Sequence, residues 1–418
     1  MLLRVAWKSL LNRKTSAVLT ILSIAVSIFV LVGVEHIRQE AKNSFNKTVS
    51  GVDLIVGART GQLNLLLYSV FRIGNATNNI SWQSYQELAK YRSVAWTIPL
   101  SLGDSHRGYR VLGTNQDYFR YFKYGQQKSL IFSQGSQFES VYDAVLGAEV
   151  AKKLGYRLGE NIVVAHGAGS TSFSNHDDKP FTVVGVLAPT GTPVDQTVHV
   201  SLAGIEAIHL GWQNGVKVPG ANVSAKQAAE GELTPKTITA FMVGLKSKIT
   251  TFQIQRQVNQ YRQEALMAIL PGVALSELWQ LMGVVENILL LVSVLVLLAS
   301  LLGMSTMLLA SMRERQRELA VVRAVGAHPS FLFLLVQLEA IILALLGIVL
   351  AFIALSTTLA LYQNYFSEQY GLFIAANFYS ASVLVLIGIV LLATAMLALI
   401  PGVSAYRASL NSGLVVRN

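Results

Sequence analysis

Residues 313–329 read RERQRELAVVRAVGAHP, six charged side chains in seventeen positions, and each flank is an apolar run of more than twenty residues. Charge is scarce elsewhere: Lys, Arg, Asp and Glu make up 13% of the chain and hydrophobic residues 52%, where a soluble protein carries about 25% charged residues. The apolar excess is gathered in four blocks, Ser16–Val34, Ile288–Ala310, Ala340–Leu361 and Ala381–Ile400. Each approaches or exceeds the roughly 18–20 residues with which a helix crosses the hydrocarbon core of a bilayer. None has a Lys or Arg at its centre, which argues against buried helices of a large soluble protein. The chain reads as a membrane α-helical protein with four transmembrane helices, and 313–329 is a charged loop between the second and third.

Basic residues close to the spans set the expected orientation, because they are retained on the cytoplasmic side. Arg4, Lys8, Arg13 and Lys14 precede the first span; Arg313, Arg315, Arg317 and Arg323 lie between the second and third; Arg407 and Arg417 follow the fourth. The connection Tyr362–Ser380 has no basic residue and one acid, Glu368. Both termini and the charged loop are therefore expected in the cytoplasm, with the long segment between the first two spans outside. The expected order is a cytoplasmic amphipathic helix (1–15), a first span (16–34), a periplasmic domain (35–285) and a second span (286–311). A cytoplasmic loop (312–330), a third span (331–361), a short outer loop (362–380), a fourth span (381–402) and a cytoplasmic tail (403–418) complete it.

The first apolar run is longer than the 7–15 residues or so of a signal-peptide core, and no A-x-A-like site follows at Glu35–His36, so it reads as an uncleaved anchor. Ahead of it, Leu3, Ala6, Trp7, Leu10 and Leu11 recur at helical spacing, with Arg4, Lys8 and Asn12 elsewhere on the wheel. That pattern suits a helix lying on the inner leaflet, its basic side toward anionic lipid; a ragged extension of the first span is the alternative. The chain has no cysteine, which excludes a disulfide scaffold and any thiolate metal site or nucleophile.

The outer segment reads as a large α+β domain. VDLIVGA (52–58) is strand-like, and SWQSYQELAKY from Ser81 is helix-like with a Ser cap. Val94–Leu100 and Tyr109–Leu112 are further strands, mirrored near the second span by a strand at Thr237–Leu245, a helix at Thr251–Ala265 and a short strand around Ile269–Leu275. These two pieces, 45–114 and 233–275, would form one porter-like body. Gly and Pro punctuate β-like runs across 115–232, as expected of an inserted β-rich subdomain, and 211–235 reads as a polar, mobile loop.

Met312–Ala324 has no helix breaker, so the second span is expected to continue as a helix. Leu319, Val322 and Val325 form a narrow apolar stripe beside Arg315, Glu318 and Arg323; Gly326 is placed to end the helix and Pro329 follows. On the residues alone this is either a docking helix for a soluble partner or a solvated connector against lipid head groups.

ERQRELAVVRAVGA (314–327) resembles the signature of FtsX-like permeases, the membrane subunits of MacB-type ABC transport systems, close to E-R-x-x-E-[IL]-A-V-x-R-A-[LIV]-G-A. IPGVSAYRASL (400–410) resembles the family's ending; VLGAEVAKKLGYRLGENIVV (145–164) and FTVVGVLAPTGTPVDQTVHVSL (181–202) resemble its outer-domain patterns. The order of one span, a large outer domain and three further spans is likewise similar. The fold implied is a MacB-like porter domain with an inserted β-rich subdomain on a four-helix membrane part. The partners implied are two copies of an ABC ATPase and a second copy of the permease, with a periplasmic adaptor or substrate-binding protein as a further candidate. Membrane lipid surrounds the spans, and nucleic acid is not among the expected partners. The resemblance also implies that Arg315, Arg317, Glu318, Arg323 and Gly326 couple to the ATPase.

No G-x-x-x-x-G-K-[ST] phosphate loop occurs, and GARTGQ (57–62) and GAGS (167–170) lack its lysine and spacing. The chain is therefore expected to be no enzyme and to hold no cofactor, with ATP and Mg bound by the partner ATPase. Function is expected to be an ABC permease that passes ATP-driven conformational change across a bacterial inner membrane to the periplasmic domain, for export or extraction of a substrate. The alternatives are an FtsX-like regulator of periplasmic partners or a component of zinc homeostasis; the size of the outer domain favours transport. Two acids sit in or near spans, Glu286 at the outer end of the second and Glu339 in the third. Without an intramembrane His, Lys or Asp to continue a proton relay, both read as paired or packing residues, Glu339 against the second span or the loop helix. AHGAGSTSFSNHDDKP (165–180) places His166, His176, Asp177 and Asp178 in one expected hairpin loop, a candidate metal-ligand set of imidazoles and carboxylates, with His199 and His209 further on.

Overall fold

The structure is a computed structural model that describes residues 2–48, 50–167, 176–213, 216–217, 223–314, 321, 325–370 and 381–411. The chain divides into two compact units, Met1–Glu40 with Gly283–Asn364 and Ile374–Asn418, and Ala41–Met282 with Tyr365–Phe373.

The first unit holds four helices long and apolar enough to cross a membrane, within Lys14–Asn43, Pro271–Glu314, Pro329–Tyr362 and Ala381–Arg407. The first three outrun their apolar blocks, the third running Pro329–Tyr370. The first helix is Lys14–Thr48, and the second begins at Pro271, so residues 271–275 are helix where a strand was expected. Proline at a first helical position gives up no hydrogen bond and has a φ already suited to the helix, which makes Pro271 a start signal. Small residues set the packing. A Cβ on Gly347 of the third span would meet Ile24 of the first at 2.7 Å. Ser300 of the second span sits between Ser23 and Ser27 of the first, hydroxyl oxygens 3.0 and 2.6 Å away. The fourth span breaks at Ala398, between helices Ala381–Leu397 and Leu399–Asn411. Pro401 has no N–H for the carbonyl of Leu397 four residues back, and the Ser305 hydroxyl of the second span donates to that carbonyl instead, at 3.1 Å.

An amphipathic helix, Leu2–Leu11, precedes the first span after a two-residue elbow. It buries Ala6, Ser9 and Leu10 and exposes Leu3, Trp7 and Leu11. The apolar side read from the sequence is thus divided between helix packing and an outward face of the kind that lies in lipid.

The second unit is built on an eleven-stranded sheet. Its main path runs Leu266–Ile269, Leu54–Ala58, Ala240–Leu245, Val94–His106, Tyr109–Thr114, Thr197–Ser201, Asp143–Leu146, Phe181–Leu187 and Phe132–Gly135. Val94–His106 is its longest member. Its first half pairs antiparallel with Ala240–Leu245 and its second half with Tyr109–Thr114 and Ala165–His166. Parallel pairing of Thr197–Ser201 with Tyr109–Thr114 brings the strands of 115–232 into the same sheet. Ser81 caps helix Trp82–Ala89 by accepting from the Ser84 amide, as its position before the apolar run predicts. The helix expected over Thr251–Ala265 ends at Asn259, and the last strand is Leu266–Ile269. Within the loop expected at 211–235, Ala225–Ala229 is a helix with a Ser224–Gln227 capping box, the sequence sign S-x-x-Q. One core lies between the sheet and Leu65, Tyr68, Tyr118 and Phe122; another packs Val150, Val164 and Ile208 against Phe181 and Val198.

Candidate functional site

Of the loop residues expected to couple to an ATPase, Arg315, Arg317, Glu318 and Arg323 lie outside the described residues. Gly326 is described, and it takes φ +103°, which a branched side chain resists. The Val325 amide donates to the Val321 carbonyl at 3.1 Å, and both side chains are exposed. Two residues after the glycine, His328 caps the third span: its Nδ1 accepts from the Ser330 amide at 3.3 Å. At the other end of the loop, Arg13 in the N-terminal elbow donates to the Ser311 carbonyl at 2.7 Å and pairs with Glu314 at 3.4 Å. A cation on the last carbonyls of a helix is favoured by the helix dipole, so this arginine holds the end of the second span where the loop departs.

The two acids near spans are both partnered. Glu286 pairs with Arg38 at 3.4 Å, and Arg38 also pairs with Glu35 at 2.7 Å. Glu339 is 2% exposed and accepts from the Ser9 hydroxyl of the N-terminal helix. Ser9 lies on the N-terminal helix, an element that the sequence reading did not pair with this acid. The carboxylate sits on the helix face that Ala6, Ser9 and Leu10 bury.

Among the described residues, three histidines of the outer unit gather from separate elements. His166 ends the short strand that pairs with Val94–His106, and its register partner there is Asp104. His176 starts the return segment, tied by its amide to the Val164 carbonyl at 3.0 Å. His209 is the last residue of helix Leu202–His209, whose N-terminus Ser201 caps. The buried Lys179 secures that helix's other end, donating to the carbonyls of Ala207 and Leu210 at 2.8 and 2.9 Å. Such bonds satisfy the carbonyls that a helix C-terminus leaves open. One ring nitrogen from each of His166, His176 and His209 lies within 4.8 Å of the other two.

Asp104 is the counter-charge of this cluster. Its Oδ1 is 2.9 Å from His166 Nδ1 and 3.7 Å from His209 Nε2. Burial favours the neutral carboxyl, but hydrogen bonds and charge from His166 and His209 hold its pKa below the usual carboxylate range. His209 is raised in return: burial works against its charged form, and the bond to Asp104 outweighs it. His176 is wholly buried and pushed down to about 4, by burial first and then by the two neighbouring histidines. It is a neutral base at pH 7, and neither of its ring nitrogens has a hydrogen-bond partner among the described residues. Trp212 walls the cluster, its ring 4.4 Å from that of His176.

Asp177 and Asp178, read from the sequence beside His176, are exposed and are not brought into the cluster. His209 and Asp104 take those places. Two other histidines of the same region are absorbed elsewhere: His106 bonds to the Val163 carbonyl and the Tyr156 hydroxyl, and His199 is buried beside Tyr118 and Phe119. The partial signal for His209 was its place at the end of an apolar helix; for Asp104 it was a charge inside a strand run.

Two family models match the chain: the MacB-like periplasmic core domain over residues 17–261 and the FtsX-like permease C-terminal domain over residues 290–410. Among solved structures, the periplasmic region of MacB from Actinobacillus actinomycetemcomitans is similar at 11% identity, covering 55% of this chain and 94% of that one with a TM-score of 0.34. The extracellular domain of the noncanonic ABC-type transporter YknZ from Gram-positive bacteria is similar at 13% identity, covering 52% of this chain and 98% of that one with a TM-score of 0.29. No curated protein sequence matches the chain.

Proposed function

Because the chain belongs to the MacB-like, FtsX-like family of ABC transporter permeases, we propose that it is the permease subunit of a transport complex driven by a separate ABC ATPase. The observation that carries this reading is the pair of family matches, which between them take in the outer domain and the last three spans. Two ATPase subunits bind ATP and Mg and dock on the loop between the second and third spans, one on each of two permease copies. Both termini and that loop face the cytoplasm of a bacterial cell, and the outer domain lies beyond its inner membrane. ATP-driven closure of the ATPases shifts the loop, and the first two spans carry the shift to the outer domain, where it exports or extracts a substrate. The Arg13 grip on Ser311 and Glu314 supports this reading, since it ties the start of the first span to the end of the second beside the loop. Gly326 at φ +103° supports it too, because it sets the direction in which the chain returns to the membrane.

Charge reversal in the loop tests the proposal. Glu318→Lys and Arg323→Glu should leave insertion and purification unchanged while reducing co-purification of the ATPase and abolishing complementation of a deletion strain. Losing one partner of an interfacial charge pair typically costs about 2–5 kcal/mol of binding. Full ATPase binding and full turnover by both variants would reduce the loop to a connector.

A further inference from the structure

We infer that Asp104, His166, His176 and His209 form a binding site for one divalent transition-metal ion of the zinc class in the outer domain. The argument is geometric. Ligand nitrogens about 2.0–2.1 Å from a tetrahedral zinc ion stand about 3.4 Å from one another. His166 Nδ1 and His209 Nε2 are 3.4 Å apart. Asp104 Oδ1 is 2.9 Å from the first and 3.7 Å from the second. These three atoms outline one triangular face of a ligand tetrahedron. The fourth corner falls to His176, whose ring centre is 4.8 Å from that of His166 and 5.2 Å from that of His209. One ligand nitrogen of each of His166, His176 and His209 lies within 4.8 Å of the other two, and neither nitrogen of His176 is engaged in a hydrogen bond with any described residue.

The chemistry of the set narrows the ion. Three imidazoles and one carboxylate suit zinc and its borderline neighbours, whereas calcium and magnesium prefer all-oxygen shells. The surrounding bonds are those that orient ligands. His209 Nε2 faces Asp104 Oδ1 at 3.7 Å and His166 Nδ1 at 3.4 Å, which turns that nitrogen toward the proposed ion. Lys179 fixes the helix end that carries His209, and its own amide bonds the His176 carbonyl at 3.1 Å. Four protein ligands close the coordination shell, so the site holds an ion and does not activate a water molecule. Bound metal would cross-link the strand Val94–His106, the strand Ala165–His166, the segment at His176 and the end of helix Leu202–His209. A resident metal departs from the expectation that this chain carries no cofactor. It is independent of the permease assignment.

The test uses the full chain, purified in detergent without a polyhistidine tag, stripped of metal and equilibrated with zinc chloride. One zinc per chain is expected by mass spectrometry after gel filtration. Cobalt chloride should give the intense visible absorption of a tetrahedral complex and quench Trp212 fluorescence. Affinity should fall as pH drops, since binding releases protons. His176→Ala and His209→Ala should each weaken zinc binding by at least the roughly 10–100-fold known for second-sphere changes, whereas Asp177→Ala with Asp178→Ala should leave it within about twofold. Should an alanine variant fail to fold, the near-isosteric Asp104→Asn serves in its place, with affinity expected to fall about 10-fold or more. Absence of stoichiometric zinc in the unmutated chain, an octahedral cobalt spectrum, or undiminished binding in His176→Ala, His209→Ala or Asp104→Asn would overturn the site.

Discussion

The Ser9 hydroxyl donates to the Glu339 carboxylate, joining the N-terminal helix to the third span through two buried side chains. A helix lying only on the lipid surface is free to lift away. This one is fastened by a side-chain hydrogen bond to a buried carboxyl group. Removing the donor takes this one bond from the buried carboxyl, and a hydrogen bond typically contributes about 0.5–1.5 kcal/mol. Ser9→Ala should therefore speed amide hydrogen exchange across Leu2–Leu11 by up to about 10-fold, while Ser9→Thr should restore protection. Unchanged exchange in Ser9→Ala would mean that lipid contact alone holds the helix.

The hydroxyl contact between Ser27 and Ser300, 2.6 Å oxygen to oxygen, places the first and second spans within cross-linking range. In a chain without native cysteine, Ser27→Cys with Ser300→Cys should oxidise to a disulfide under mild copper–phenanthroline, and Ser27→Cys with Ser293→Cys should not. If the complex works by moving these spans apart, the locked form should lose substrate-dependent ATP turnover and regain it with reductant. Full turnover in the locked form would show that the spans stay together through the cycle.

Orientation can be read from single cysteines. Introduced at Ser101 or Ser174, a cysteine should react with an impermeant maleimide in intact spheroplasts; at Gln316 it should react only after permeabilisation. Labelling of Gln316→Cys in intact spheroplasts would reverse the topology derived from the arginines.

His199 makes the outer domain acid-sensitive. Burial first, and then the charge of Arg72, hold its pKa at about 3. In the unfolded chain the ring takes up a proton near pH 6.5. Between those values the unfolded state binds more protons than the folded one, so stability falls as pH drops from about 6.5 toward 3. The loss should amount to a few kcal/mol, on the order of 1.4 kcal/mol per pH unit where the difference in protonation is complete. His199→Phe, between Tyr118 and Phe119, removes the titrating group. Its unfolding midpoint, followed by tryptophan fluorescence, should vary less with pH than that of the unmutated protein across this window. Identical pH profiles would assign the acid sensitivity to other groups.

The four spans were legible because an unbroken apolar run is a one-dimensional signal, and so were local devices such as the Ser81 cap and the Gly326 turn. The helical start at Pro271 was also written in the sequence, but the apolar residues after it, Val273 to Leu275, fit a strand as well as a helix over so short a window. What could not be read were meetings between distant positions. Ser9 and Glu339 are ordinary residues until two helices cross. His209 lies 33 residues beyond His176, and Asp104 lies in a different strand, so the cluster depends on which way a sheet and a helix end face each other. Asp177 and Asp178 were adjacent in sequence to a genuine member, yet their side chains leave the turn toward solvent.

The strand Tyr109–Thr114 lies between the terminal strands of the outer domain and those supplied by 115–232. The segment 115–232 is consequently no cassette that can be clipped out. Excision would strip Thr197–Ser201 from one side of Tyr109–Thr114 and leave a raw β edge whose Val111 and Leu112 are now buried. Such an edge invites strand addition from another chain. A shortened protein designed to isolate the part built from 45–114 and 233–275 would accordingly be prone to aggregate, and a usable truncation has to begin by redesigning that one strand.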